Sequence, residues 1–133
     1  MNKYESVKRW LKAFLVPMNT KYGNIKKERY NLRYELMREE NNEYLEACKN
    51  NDEVEIIDAL TDQLFVLLGT YAEHGVSKEL LDKSFKEVLD SNFSKMEKGK
   101  PVFRDDGKIL KGSNYFKPNL KKVLYEQLEC KGV

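Results

Sequence analysis

Apolar residues recur along this chain at the three- and four-residue spacing that is typical of amphipathic helices. In the first such segment Val7, Leu11 and Phe14 share one side, and Pro17 ends the pattern. The polar turn over residues 50–52 separates two longer segments, and Gly75 ends the second of them as a C-cap would. The spacing predicts four main helices, over residues 4–16, 25–49 (or 28–49), 52–74 and 78–93.

The pattern changes after Gly99. In PVFRDDGKIL, short apolar runs flank Asp106-Gly107, which is typical of a tight hairpin, and a last helix is predicted over residues 119–129, after Pro118. A length of 133 residues suits one domain with a modest core. The sequence therefore predicts a single all-α domain over residues 1–133, with four main helices, a short C-terminal hairpin and a C-terminal helix.

The second predicted helix has acidic residues at positions where packing residues are expected. The segment ELMREENNEYLEA, residues 35–47, contains five glutamates. Glu40 and Glu43 fall within about 40° of Leu36 on a helical wheel, on the stripe that also holds Leu32 and Ala47. Unpaired carboxylates on a packing face would cost several kcal/mol, so these two require an explanation.

The third predicted helix shows the same anomaly. Asp58 and Glu55 lie within about 40° of Asp62 on its wheel, so the three acids line one face. Asp62 stands between Leu60 and Leu64, and the helix continues as LFVLLGTY, which is apolar on nearly every side. Such a segment is normally interior, so this helix predicts carboxylates close to a core.

A divalent cation would explain these acids. Glu39, Glu46 and Glu53 are interpreted as solvated or ion-paired surface residues. Two antiparallel helices would instead bring together four other carboxylates, those of Glu40, Glu43, Asp58 and Asp62. Four carboxylates that lie a few ångströms apart cannot all stay ionised without a cation. Oxygen ligands without histidine or cysteine suit Mg²⁺, with Mn²⁺ as the alternative.

A di-iron centre also places glutamates inside a helical bundle, but it needs Glu-x-x-His on two helices. The only histidine is His74, and Tyr71 stands three residues before it. The sequence therefore excludes the usual di-iron ligand set. We interpret His74 as a residue that caps the end of a helix.

Charge is distributed unevenly around the net value of +2. Residues 35–62 hold ten acids and two bases, whereas residues 95–122 hold nine bases and three acids. The acidic centre would repel a phosphate backbone, and the lysines are not concentrated on one helix, so we expect no nucleic-acid partner. A metal site beside a phosphate site fits this distribution, as do two solvated surfaces of opposite charge.

Nothing in the sequence suggests a membrane or a secretory route. No run approaches the ~20 apolar residues that span a bilayer, and MNKYESVKRW lacks the apolar core of a signal peptide. Cys48 and Cys130 form no metal-ligand spacing. We expect a cytoplasmic protein with reduced thiols.

The acids resemble a known signature. Glu39-Glu40-x-x-Glu43 followed by Glu55-x-x-Asp58 is similar to the EExxE…ExxD pattern of the all-α nucleoside triphosphate pyrophosphohydrolases. That superfamily includes MazG-like enzymes, dimeric dUTPases and phosphoribosyl-ATP pyrophosphohydrolases. DALTDQLFVLLGTYAEHG and SNFSKMEKGKPVFRDDGKILKGSNYFKP resemble its phosphoribosyl-ATP pyrophosphohydrolase-like branch. The resemblance covers residues 32–118 and implies a MazG-like helical bundle.

The second half of the signature admits two alignments. The gap between Glu43 and Glu55 is eleven residues, near the short end of the family's range. Alternatively Asp62 takes the place of the final aspartate, because DQLF resembles the family's DLLF, and Ala59 then stands where the motif has an acid. We favour Asp58 and Asp62 over Glu55 as ligands.

The resemblance implies a Mg²⁺-dependent attack of water between the α- and β-phosphates of a nucleoside triphosphate, giving a monophosphate and pyrophosphate. The implied metal ligands are Glu40, Glu43, Asp58, Asp62 and Glu55. Glu39 is the implied base or water-positioning group. The implied substrate-binding residues are Asn92, Lys95, Lys108, Lys111 and Tyr115, with Phe116 as an alternative to Tyr115 for stacking on the base.

Family members build their sites between subunits, so the resemblance also implies a homodimer or homotetramer. A catalytically silent nucleotide- or metal-binding regulatory module is the alternative function. No residue pattern identifies the preferred base or sugar.

Overall fold

Five helices form the regular structure of the protein in a computed structural model, which describes residues 1–131 and the side chains of residues 1–127. They are α1 Lys3–Ala13, α2 Lys27–Lys49, α3 Glu53–Glu73, α4 Lys78–Phe93 and α5 Leu120–Lys131. Residues 1–131 contain no β-strand. The predicted all-α fold of four main helices with a C-terminal helix is confirmed.

The helix ends follow local signals that the sequence carries. Asn2 and Asp52 cap α1 and α3, because their side chains accept the backbone N–H of Glu5 (3.0 Å) and Glu55 (3.1 Å). α1 ends at Ala13, earlier than the predicted residue 16, and Leu15 just beyond it has a left-handed φ of 58°. Gly75 follows α3 with φ +76°, where a Cβ would lie 2.4 Å from the Lys21 carbonyl oxygen. Only glycine fits that position.

The chain forms two compact units, Met1–Lys78 and Glu79–Val133. In the first unit α2 packs against α3, and α1 also packs on α3. Its core consists of the buried side chains Tyr4, Val7, Leu11, Ala47, Ala59, Ala72 and Val76. Leu11 is only 1% exposed. The prediction of a single domain stays a prediction.

A buried carboxylate joins α2 to the C-terminal end of α3. Glu73 is 1% exposed and pairs with Arg29 (Nε to Oε1, 2.8 Å) and Arg33 (Nη1 to Oε2, 3.0 Å). Arg33 also donates to Thr70 Oγ1 (3.0 Å) and to the Val66 carbonyl oxygen (2.8 Å). A Cβ on Gly69 would lie 2.7 Å from Arg33 Nη2, so the absence of a side chain there makes room for the guanidinium.

The second unit contains nearly all of α4, the segment over residues 94–119 and α5. The hairpin predicted at Asp106-Gly107 is present as one antiparallel bridge between Phe103 and Ile109, and Gly107 has φ +88°. A second tight turn, which the sequence analysis missed, joins Glu97 to Lys100. Its two central residues have φ of 50° and 75°, as a type I′ turn requires.

Among residues 1–131, no helix combines the length and the apolar character that crossing a membrane requires. Cys48 is a half-buried free thiol, and the side chain of Cys130 lies outside the described residues.

Candidate metal centre

Three carboxylates from α2 and α3 converge in the first unit. Glu40 and Glu43 extend from α2 and Asp62 from α3, and one oxygen of each lies within 4.8 Å of the others. Glu40 and Asp62 are half-buried, whereas Glu43 is exposed. We call these three residues the acidic cluster.

The register of the α2–α3 pair brings them together. Arg33 contacts Thr70 and Glu40 accepts a hydrogen bond at its carbonyl oxygen from Gln63 Nε2 (3.3 Å), so residue numbers fall on α3 as they rise on α2. The two helices are therefore antiparallel. Glu40 and Glu43 are about one turn apart, and the register places both beside Asp62.

Burial and nearby negative charges disfavour the ionised forms of Glu40 and Asp62. Burial raises the pKa of Glu40 to about 7, with further contributions from Glu43, Asp62 and Asp58. Burial also raises the pKa of Asp62, and the nearby charges of Asp58 and Glu43 add to that effect. No ion pair joins Glu40, Glu43 or Asp62 to a lysine or arginine among residues 1–127. The folded chain therefore concentrates negative charge here without supplying a counter-charge.

One buried oxygen atom of the acidic cluster has no partner in the described part of the protein. Glu40 Oε2 is buried and has no hydrogen-bond partner in the part of the chain that the structure describes. Buried carboxylate oxygens are nearly always paired, so an orphaned one calls for a ligand. Three carboxylates with no nitrogen or sulfur donor match the preference of Mg²⁺ and Mn²⁺.

The other two predicted ligands, Asp58 and Glu55, are not members of the acidic cluster. Asp58 is exposed, and its charge raises the pKa of both Glu40 and Asp62, which places it beside the acidic cluster. Glu55 is exposed in the first turn of α3, and the antiparallel register places that turn opposite the end of α2, beyond Glu43. Of the five predicted ligands, the structure brings together Glu40, Glu43 and Asp62.

Glu39, the predicted base, is exposed on α2 next to Glu40. Its charge contributes to a raised pKa of Arg38, for which the hydrogen bond and charge of Glu35 are the main causes. Glu39 is therefore free to reach solvent beside the acidic cluster.

The predicted substrate-binding residues all belong to the second unit. Asn92 and Lys95 line one cavity at the end of α4. Lys111 Nζ lies 4.7 Å from the ring centroid of Tyr115, a cation–π contact that covers one face of that ring. Lys108 is exposed in the hairpin turn, where its backbone N–H donates to Asp106 Oδ1 (3.1 Å).

Comparison with protein families agrees with this geometry. The family model of phosphoribosyl-ATP pyrophosphohydrolase matches residues 7–92, well over half of the chain. The chain belongs to this family. A search of curated proteins finds no match. The family is one of pyrophosphohydrolases, which act on phosphoanhydride bonds, and the matched region contains the five predicted metal ligands, Glu39 and Asn92. Lys95, Lys108, Lys111 and Tyr115 lie beyond it.

Sequence analysis missed several residues of the family domain that shape the site. Arg33 and Glu73 were not singled out, although an arginine among apolar positions of α2 was a usable signal. Gln63 belongs to no sequence motif. Its hydrogen bond to the Glu40 carbonyl oxygen depends on the register of α2 against α3. In the second unit Gly112 and Glu97 were also missed: a Cβ on Gly112 would lie 2.7 Å from the carbonyl oxygens of Lys95 and Met96.

Proposed function

We propose that the protein is a Mg²⁺-dependent nucleoside triphosphate pyrophosphohydrolase that cleaves between the α- and β-phosphates to give a monophosphate and pyrophosphate. The acidic cluster is the observation that supports this most strongly. The fold holds Glu40, Glu43 and Asp62 together without a protein cation and leaves Glu40 Oε2 unpaired. Family membership supplies the reaction class.

In this proposal Glu40, Glu43 and Asp62 hold the ion, and Asp58 lies close enough to join them through a shift of its exposed side chain. When bound, Mg²⁺ offsets phosphate charge and lowers the pKa of a coordinated water. Glu39 positions the attacking water and accepts its proton, because it is an exposed carboxylate that directly precedes Glu40 on α2. Gln63 fixes the backbone of Glu40 from α3.

We further propose that Asn92, Lys95, Lys108, Lys111 and Tyr115 bind the substrate. The ammonium groups of Lys95 and Lys108 make no ion pair with any residue in the described region, so they are available to phosphate oxygens. Lys111 already covers one face of Tyr115, so that ring can stack on a base only with its other face.

The proposed enzyme works in the cytoplasm as a homo-oligomer. The face of α3 opposite its acids has an apolar stripe, on which Ile57, Leu60 and Leu67 are 62%, 44% and 44% exposed. The sequence predicted residues 64–71, which include Leu67, to be interior, and within one chain this stripe is only partly covered. A second copy packed on this stripe would bury it.

Release of pyrophosphate from a panel of nucleoside triphosphates with Mg²⁺ tests the function. We expect turnover of at least one triphosphate, abolished by EDTA and by Glu40→Gln. Glu53→Gln, an exposed acid in the first turn of α3, is the matched control and should keep full activity. Binding of nucleotide without any pyrophosphate release would instead identify a silent regulatory module.

A further inference from the structure

A cavity of about 230 Å³ lies in the first unit, at the C-terminal end of α3. Its walls are mostly apolar and include three rings; the lining residues are Tyr22, Leu67, Thr70, Tyr71, His74 and Val76. The volume is several times the ~30 Å³ that one water occupies in the liquid, so the cavity has room for one flat ring system. No residue of the acidic cluster lines it, so it is separate from the candidate metal centre.

Two of the rings are held in place by the segment that precedes α2. His74 caps α3, and its Nδ1 lies 3.0 Å from the Gly23 carbonyl oxygen. Because a carbonyl oxygen only accepts, Nδ1 carries the proton, and Nε2 of the neutral ring is an acceptor. The Gly23 backbone N–H donates in turn to the His74 carbonyl oxygen (3.0 Å), which fixes the adjacent Tyr22. Tyr22 is 51% exposed, so its ring is accessible for stacking.

Positive charge collects at the same end of α3. Five exposed lysines belong to segments that meet there: Lys3, Lys21, Lys26, Lys27 and Lys78. We call these five residues the lysine group. Tyr4 follows Lys3 and donates to the carbonyl oxygen of Val76, a wall of the cavity. The carbonyl oxygen of Lys21 lies against Gly75. The lysine group therefore borders the cavity.

The start of α2 brings its lysines to the same place. Lys26 and Lys27 lie within one turn of Arg29, whose Nε is 2.8 Å from Glu73 Oε1. Residues 1–27 hold seven bases and one acid. No member of the lysine group forms an ion pair within residues 1–127, so the ammonium groups are available to an anion from solution.

The acids of the first unit lie towards the other end of the helix pair. A rise of ~1.5 Å per residue puts Glu40 roughly 20 Å from Lys27 along α2. The Debye length is ~8 Å at physiological ionic strength, so the acidic cluster acts only weakly on an anion held by the lysine group. The antiparallel register thus separates such an anion from the acids whose repulsion led the sequence analysis to expect no nucleic-acid partner.

We propose that this end of α3 binds single-stranded nucleic acid, with one unstacked base in the cavity and the neighbouring phosphates on the lysine group. A base offers a flat face to Tyr22 and a polar edge to His74 Nε2, and its backbone continues as a chain of anions. A duplex keeps its bases stacked and offers none to a cavity. An anionic membrane would use the lysines and leave the cavity empty. The proposal does not depend on the proposed reaction.

Fluorescence anisotropy of a labelled strand of about twelve nucleotides tests this, with the full chain in EDTA at about 50 mM salt. RNA and DNA strands are titrated separately, beside a duplex of the same sequence. At least one single strand should bind at micromolar concentration, at least about fivefold more tightly than the duplex. Its log affinity should fall with log salt with a slope of about −1.4 to −3.5, which two to five phosphate contacts give. No binding, or equal binding of strand and duplex, would overturn the proposal.

Two pairs of variants separate the cavity from the lysine group. Tyr22→Ala should weaken strand binding about five- to a hundredfold, the loss of one base–aromatic stack, and should keep wild-type pyrophosphate release. Tyr34→Ala, at a 59% exposed tyrosine of α2 outside the cavity, should bind as the wild type does. Unchanged affinity in Tyr22→Ala would overturn the base assignment.

The lysine group has its own matched pair. Lys21→Gln with Lys26→Gln should reduce the size of the salt slope by about 1.4, because two phosphate contacts are lost. Lys117→Gln with Lys122→Gln removes two exposed lysines of the second unit and should leave the slope unchanged. Equal slopes in both double variants would exclude the lysine group from the contact.

Three other occupants are outcomes of the same titration. Binding of anionic phospholipid vesicles without binding of any strand would assign the lysine group to a membrane. Displacement of the strand by an equal concentration of nucleoside monophosphate would assign the cavity to free nucleotides. Leu67 belongs both to the cavity and to the apolar stripe of α3, so a dimer that cannot bind the strand would make the cavity an interface between copies. Each of these results would overturn the proposal.

Discussion

The two ends of the α2–α3 pair surround their buried and half-buried carboxylates with different charges. Near the C-terminal end of α3, Glu73 is buried between Arg29 and Arg33, which offset its negative charge within the fold. Two to three turns away, Glu40 and Asp62 are partly buried beside Glu43, and burial and the neighbouring carboxylates raise their pKa values. The same helix pair thus pairs one carboxylate with arginines and leaves a cluster of carboxylates that has no ion-pair partner among residues 1–127.

Removing a counter-charge of the buried Glu73 should have the largest effect on the free energy of unfolding. Arg33→Met leaves Glu73 buried with only Arg29, and breaking a buried pair costs about 3–5 kcal/mol. We expect a loss of that size in the free energy of unfolding, measured by urea denaturation. Arg29→Met, at a 29% exposed side chain, should cost less. The pair Arg33→Met with Glu73→Gln should recover part of the loss, and no recovery would show that Arg33 acts through packing alone.

Gly69→Ala tests the room that the Arg33 guanidinium needs. The new Cβ would lie 2.7 Å from Arg33 Nη2, so the guanidinium must move. Overpacking of this kind costs about 1–3 kcal/mol, which exceeds the gain of roughly 1 kcal/mol from replacing a helical glycine by alanine. Gly23→Ala, where nothing lies within 4 Å, is the control and should be close to neutral. A stabilised Gly69→Ala protein would contradict the close approach.

The pH dependence of stability tests the acidic cluster, at the other end of the α2–α3 pair. The folded-state pKa of Glu40 is about 7 against 4.5 ordinarily, so the folded state binds an extra proton between these values. The metal-free protein should therefore lose stability as pH rises from about 4.5 to 7. Glu40→Gln should flatten this part of the profile, as should saturating Mg²⁺. Thermal melting in EDTA across this range measures it, and identical profiles for wild type and Glu40→Gln would refute the charge repulsion.

Glu39→Gln should have the smallest effect on stability and a large one on rate. Glu39 is exposed, and surface substitutions usually stay within about 0.5 kcal/mol. Loss of a general base lowers rate by roughly 10²–10⁴-fold. Urea denaturation and pyrophosphate release on the same variant measure both effects. Wild-type turnover would remove Glu39 from the proposed mechanism.

Sequence could predict much of this fold because its signals are local. Apolar spacing located all five helices, and Gly75 and Asp106-Gly107 marked turns where a positive φ is required. The wheel positions also predicted that Glu40, Glu43, Asp58 and Asp62 would meet, and the structure brings three of them together, without Asp58. What sequence could not provide depends on the register of α2 against α3. Glu55 and Asp62 lie on one face of α3, but only the register shows that Asp62, and not Glu55, lies beside Glu40 and Glu43.

The Arg33–Glu73 pair was missed for a related reason. Neither residue belongs to a motif, and their sequence positions are 40 apart, so only the packed helices join them. The cavity at the end of α4 was also beyond prediction, because its walls come from a segment whose path depends on the Gly112 contact.

Mn²⁺ binding measured by electron paramagnetic resonance tests the central claim that the acidic cluster takes a cation from solution. At pH 7.5 the wild-type protein should bind Mn²⁺ at a site that Mg²⁺ competes for. Asp62→Asn or Glu43→Gln should weaken that binding at least tenfold, since each removes one of three converging ligands. Glu53→Gln should bind as the wild type does. Equal Mn²⁺ binding by all four proteins, or none by the wild type, would contradict the account.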